Sequence, residues 1–157
     1  MMKQIILLAT FILATILCFG QNEHLKPARD FAQYEDVLKE YYDNLFPKLY
    51  KGFSETPYAR CTIIPSFIIE YAFSVETIDN KYYVISNSFS DSFWYSKNRK
   101  AVKLVTNKAK IDSILYSRVG ELFQILIEQM KEPEQRIFGL DGATYYFATT
   151  DINGEKK

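Results

Sequence analysis

The chain has 157 residues, in which 19 lysines and arginines balance 19 aspartates and glutamates, and 48% of the residues are hydrophobic. This length suits one compact domain, and the zero net charge excludes the overall positive field that draws proteins onto nucleic acid. Two cysteines and one histidine are too few for a structural zinc site, so the sequence predicts no metal and no cofactor.

The first 20 residues have the pattern of an export signal. A lysine precedes an apolar run over residues 5–19 that contains no acidic residue. As a helix this run would be about 22 Å long, shorter than the roughly 30 Å hydrocarbon core of a bilayer. Cys18 and Gly20 supply small residues at the positions that a signal peptidase reads, which predicts cleavage after Gly20. Lipid attachment at Cys18 is the alternative, although the bulky Leu17 disfavours it.

The predicted mature protein is a single domain over residues 21–157, periplasmic or secreted, without a stable membrane anchor. Its FGQ junction and short body resemble small exported bacterial proteins in general, and this resemblance implies no activity. The mature chain keeps one cysteine, Cys61, so no disulfide can form within it. Cys61 lies beside apolar residues, and we expect a small buried side chain there rather than a reactive thiol.

Two segments have the apolar spacing of amphipathic helices. Over residues 28–49 the apolar residues recur every three or four positions, and acidic residues occupy much of the remaining surface. The same spacing over residues 107–131, ending at Glu132-Pro133, predicts a second helix. Phe123 is expected on the inward side of that second helix.

Between and after these helices the composition changes to β-branched and aromatic residues, which favour strands. Two of these strands are predicted to form a hairpin through a three-residue loop, Ile78 to Asn80, with Val75 opposite Tyr83 and Phe73 opposite Ile85. The predicted strands lie over residues 58–64, 66–78, 81–89, 93–96, 100–106 and 143–150.

The order helix, strands, helix, strand predicts an α+β fold: an antiparallel sheet of about five strands with two amphipathic helices packed on one face. The other face, which carries Ser74 and Glu76, is expected to be half-solvated. Six basic and no acidic residues occupy positions 97–110, a composition typical of an edge strand protected against pairing. The last strand is followed by Asn153-Gly154, a hairpin signal with too few residues after it for a return strand. We therefore expect an open sheet edge there.

The sequence contains few groups suited to catalysis. It has no GxSxG, GxGxxG or GxxxxGK motif, which argues against the common serine-hydrolase and nucleotide sites. Glu70 interrupts the apolar stretch IIEYAF and is the catalytic candidate, because a buried carboxyl group can act as a general acid. An outward position on a wet sheet face is the alternative for Glu70.

Aromatic residues are abundant: 12 tyrosines, 12 phenylalanines and one tryptophan. In each aromatic doublet of a strand, one ring faces the core and the other faces outward. The candidate binding residues are Tyr82, Trp94, Tyr95 and Tyr146, for a protein or glycan partner. The sequence thus favours a small exported non-enzymatic binding or accessory protein. The alternatives are a carboxylate-based hydrolase using Glu70 and a structural envelope protein, a homo-oligomer joined through its open sheet edge.

Overall fold

The computed structural model describes residues 36–131 and 142–150. Its five strands form one antiparallel sheet in the order β4-β3-β2-β1-β5, which confirms the α+β class and the number of strands. The signal peptide predicted over residues 1–20 and the Asn153-Gly154 pair lie outside the described residues. The elements are α1 (Asp36–Leu49), β1 (Ala59–Pro65), β2 (Tyr71–Ile78), β3 (Lys81–Phe89), β4 (Leu104–Ile111), α2 (Ser113–Glu128) and β5 (Ala143–Ala148).

Helix α1 covers one face of the sheet. Its buried residues, Tyr41, Leu45 and Leu49, follow one stripe of the helix and form a core cluster with Ala72 of β2 and Phe89 of β3. The stripe has the spacing that the sequence predicted, and it buries the apolar side of a helix whose other side is charged.

Helix α2 covers the opposite face. Phe123 of α2 packs in a second cluster with Val75 of β2 and Ala59 of β1, and Phe73 packs against this cluster as predicted. Ala72 and Val75 are three positions apart in β2, and side chains at odd separations point to opposite faces of a sheet. The prediction that both helices pack on one face is therefore not confirmed; the sheet lies between them.

The β2–β3 hairpin differs by one residue from the predicted register. Asp79 and Asn80 form a two-residue turn with φ angles of 49° and 57°, and Val75 pairs with Val84 instead of Tyr83. Two positive φ angles are the signature of the tight hairpin turn that matches the strand twist. Because side chains alternate with a period of two, this shift moves each β3 residue to the face opposite the predicted one.

The sheet face under α1 is polar yet buried, which is why it did not resemble a core in the sequence. Asn87 donates from Nδ2 to the carbonyl oxygens of Leu49 at 2.7 Å and Lys51 at 3.0 Å, at the end of α1. The Thr62 hydroxyl is 2.8 Å from the Tyr50 hydroxyl. Helix ends leave carbonyl groups without partners, and the Asn87 amide satisfies that of Leu49. The buried polar residues on this face are Arg60, Thr62, Ser74, Glu76 and Asn87.

The segment before α2 also departs from prediction. Residues 93–95 form a turn and residue 96 is irregular, so no strand forms over 93–96, and β4 continues to Ile111, where the sequence predicted helix from residue 107. The helix begins at Ser113 because Asp112 caps it, accepting a hydrogen bond from the Leu115 amide at 2.8 Å. No helix in the described part of the chain is both long and apolar enough to cross a membrane.

Candidate functional site

The Glu70 side chain, the candidate carboxylate, is buried, with 1% of the residue exposed. Of the two positions considered for it, the structure therefore shows the interior one. Its Oε2 accepts a hydrogen bond from the Phe93 amide at 2.8 Å, and its Oε1 accepts from the Trp94 amide and from the Tyr41 hydroxyl, both at 2.9 Å. Glu70 thus joins the start of β2 to α1 and to the loop between β3 and β4.

These contacts suit an acceptor that holds the backbone in place. Two successive amide groups that converge on a carboxylate form a small anion-binding turn, and hydrogen bonds to charged acceptors are among the stronger ones in proteins. Burial, and then the negative charge of Glu70, raises the pKa of Tyr41 well above its usual range. Tyr41 consequently remains a hydrogen-bond donor to Glu70 at any physiological pH.

Two basic side chains contact the Phe93 ring, one from α1 and one from the loop itself. The Arg99 guanidinium lies 5.8 Å from the ring centre of Tyr41 and 5.7 Å from that of Phe93, and its Nε donates to the Phe93 carbonyl at 3.2 Å. The Lys48 ammonium lies 4.8 Å from the centre of the Phe93 ring. Cations over aromatic faces are attracted to the ring electrons, so these contacts hold the Phe93 ring against α1.

The loop presents two aromatic rings to solvent. Trp94 is 37% exposed and Tyr95 is 57% exposed, while the Trp94 ring packs edge to face on Tyr41 at 4.8 Å between ring centres. The Tyr95 hydroxyl donates to the Ser66 carbonyl at 2.9 Å. Glu70 and Ser66 are therefore both bonded to the 93–95 turn, and the three residues between them lie beside it.

Those three residues are large and apolar: Phe67 is 69% exposed, Ile68 61% and Ile69 38%. These three residues and, on the adjoining turn, Trp94 and Tyr95 are together called here the apolar loop surface. The sequence predicts Trp94 and Tyr95 as binding residues but not Phe67, Ile68 or Ile69. A signal for these three was present, because they follow a proline that ends β1. The sequence pattern instead predicts a strand over these residues, since β-branched and aromatic residues favour strands, whereas β2 begins only at Tyr71.

The other two candidate binding residues lie elsewhere. Tyr82 stacks on Tyr116 of α2 with 4.0 Å between ring centres, and Tyr116 stacks on Tyr58 at the same distance. Tyr146 meets the ring of Phe46 of α1 edge to face at 6.0 Å. The structure thus brings Trp94 and Tyr95 together and places Tyr82 and Tyr146 on opposite faces of the sheet.

The tyrosine stack depends on a glycine in α2. A Cβ atom at Gly120 would lie 1.9 Å from the Tyr58 hydroxyl oxygen and 2.4 Å from its ring. Only a residue without a side chain therefore allows the Tyr58 ring to lie against α2 at this position.

Other chemistry has little support among the described residues. Within residues 36–131 and 142–150, no group of three or more histidine, cysteine, aspartate or glutamate side chains could hold a metal ion. Cys61 is buried as expected, and burial raises the pKa of its thiol to about 11. Comparison of the chain with protein-family models, curated proteins and solved structures finds no match.

Proposed function

We propose that the chain is an exported, non-enzymatic binding protein that uses the apolar loop surface to hold an apolar segment of another protein. The observation that carries this proposal is the exposure of five large apolar side chains on two adjacent segments. Large contiguous apolar areas are uncommon on the surface of monomers, and those that occur often mark interaction sites.

The composition of the surface favours a protein partner over a glycan. Sugar rings stack on flat aromatic faces, whereas Ile68 and Ile69 add branched aliphatic groups that pack best against other apolar side chains. Trp94 and Tyr95 belong to the residue types enriched at protein interfaces, where tryptophan and tyrosine carry much of the binding energy. The surface thus combines aromatic anchors with aliphatic neighbours.

Glu70 supports this function as a positioning residue. Its bonds to the amides of Phe93 and Trp94 fix the loop before any partner arrives. A loop that is already ordered loses less conformational entropy on binding, which leaves more of the contact energy for affinity.

Selection of phage-displayed peptides on the immobilised full chain tests the proposal. We expect enriched peptides rich in aromatic and aliphatic residues, whose binding is weakened about tenfold or more by Phe67→Ser or Trp94→Ala, the loss typical of interface anchors. Leu122→Ser is the matched control, because Leu122 of α2 is also an exposed apolar residue, at 52%, and lies outside the apolar loop surface.

Two results would count against the proposal. Peptides that bind Phe67→Ser and Trp94→Ala as tightly as the wild type would show that another surface is used. If no peptides are enriched, and the chain instead binds a glycan array in a way that Trp94→Ala abolishes, the surface binds sugars.

A further inference from the structure

The two edges of the sheet have different protection against pairing. The β4 edge carries Lys108 and Lys110, and charged side chains on an edge strand oppose the addition of another strand. The β5 edge, Ala143–Ala148, contains no charged residue and no proline. Among the described residues β5 pairs with β1 alone, so one edge of this sheet lacks the usual protection.

The pairing with β1 shows which backbone groups β5 presents at its open edge. The Ser66 amide donates to the Gly142 carbonyl at 2.8 Å, one step beyond the Pro65–Ala143 pair. In an antiparallel ladder, hydrogen-bonded and non-bonded pairs alternate. The amide and carbonyl groups of Thr144, Tyr146 and Ala148 therefore point toward β1, and those of Ala143, Tyr145 and Phe147 point away from it.

We propose that β5 pairs antiparallel with β5 of a second copy, with Tyr145 on the two-fold axis, so that the two sheets form one continuous sheet. A two-fold axis perpendicular to the sheet keeps equivalent faces of the two copies on the same side. Residues directly opposite one another must then belong to the same face, so the axis passes between two copies of one residue. Tyr145 is the central residue among the three whose backbone groups point outward. Centring the pair on Tyr145 aligns these groups for hydrogen bonds in both directions.

The side chains of β5 are self-complementary in this register, which argues for a second copy over an unrelated strand. Ala143 lies opposite Phe147 of the second copy, and Thr144 lies opposite Tyr146 of the second copy, so a small residue faces a large ring on each side of the sheet. Tyr145, which is 57% exposed, meets its own equivalent as an aromatic cross-strand pair.

Sedimentation velocity of the full chain over a wide concentration range, together with amide hydrogen exchange, tests this inference. We expect a dimer in which the amides of Ala143, Tyr145 and Phe147 become protected as concentration rises. Tyr145→Lys should raise the dissociation constant about tenfold or more, because it places two like charges directly opposite one another.

Val105→Lys is the matched control. Val105 is 44% exposed on the β4 edge, and successive strand pairings place it in the same cross-sheet row as Tyr145. The Val105→Lys substitution should leave the dissociation constant of the dimer unchanged while adding the same charge to the chain.

Three outcomes would overturn the inference. A chain that stays monomeric at every concentration has no self-pairing edge. Protection of the outward amides in a demonstrated monomer would mean that another part of the same chain covers β5. A dimer that Tyr145→Lys leaves intact, or that Val105→Lys disrupts equally, would place the interface elsewhere. None of these results depends on peptide binding at the apolar loop surface.

Discussion

Replacement of Glu70 tests whether one buried carboxylate holds the displayed loop. Three donors converge on it: the amides of Phe93 and Trp94 and the hydroxyl of Tyr41. Hydrogen bonds to a charged acceptor contribute roughly 1.5 to 3 kcal/mol each. Glu70→Ala removes the acceptor for all three, so we expect a loss of about 4 kcal/mol or more in the free energy of unfolding.

Glu70→Gln separates lost hydrogen bonding from lost volume. Its amide oxygen can replace Oε1 and keep the bonds from Trp94 and Tyr41, but its amide nitrogen then faces the Phe93 amide, and two donors oppose each other. We expect a loss of about 1 to 3 kcal/mol. Tyr41→Phe removes only one of the three donors and should cost about 1.5 to 3 kcal/mol, less than the loss in Glu70→Ala.

Urea unfolding measures these losses, and intrinsic fluorescence reports on the loop, because Trp94 is the only tryptophan in the chain. Wild-type Trp94 is partly shielded by its edge-to-face contact with Tyr41. We expect native Glu70→Gln to emit at a longer wavelength than the wild type as the loop loosens. If native Glu70→Gln matches the wild type in both emission wavelength and unfolding midpoint, Glu70 does not position this loop.

Three further changes test the packing around α2 and β1. Gly120→Ala should destabilise the wild type by about 1 to 3 kcal/mol, because the new methyl group collides with Tyr58. In a Tyr58→Ala background the same change should be neutral or stabilising, because only the higher helix propensity of alanine, about 1 kcal/mol better than that of glycine, then acts. Losses in urea unfolding that simply add in the double variant would contradict this. Phe123→Ala should cost about 3 to 5 kcal/mol in the same assay, and a loss below about 1 kcal/mol would contradict its place in the core. The raised pKa of Cys61 means that the unfolded thiol ionises first as pH rises. The free energy of unfolding should therefore fall between about pH 9 and 11, by up to about 2 to 3 kcal/mol. The fall should be smaller in Cys61→Ala, which lacks the thiol.

Local pattern predicted the elements better than their boundaries. The helical spacing of α1 and the alternation in β2 and β3 arise from contacts that each element makes along its whole length, so the sequence shows them directly. The hairpin register depended on whether Asp79 adopts a positive φ, which aspartate does only with local support. One backbone angle therefore decided which face each β3 residue occupies.

The packing of α1 could not be inferred from the hydrophobic pattern. Asn87 and Thr62 are polar, and a strand with polar residues on one face usually turns that face to water. Here the carbonyl groups at the end of α1 and the Tyr50 hydroxyl supply partners for them. These partners lie outside the strands themselves, and no periodicity along β1 or β3 reveals them.

The sequence singled out Glu70 but could not show its role, because that role depends on where two distant segments meet. Glu70 lies directly after the apolar loop residues, and its carboxylate is bound by the 93–95 turn, while Tyr95 binds back to Ser66. The short segment from Ser66 to Glu70 is thereby tied to the same turn at both ends. These hydrogen bonds hold the segment against the turn, where Phe67, Ile68 and Ile69 are exposed to solvent. The contacts that position the turn therefore also bring the exposed apolar residues beside it.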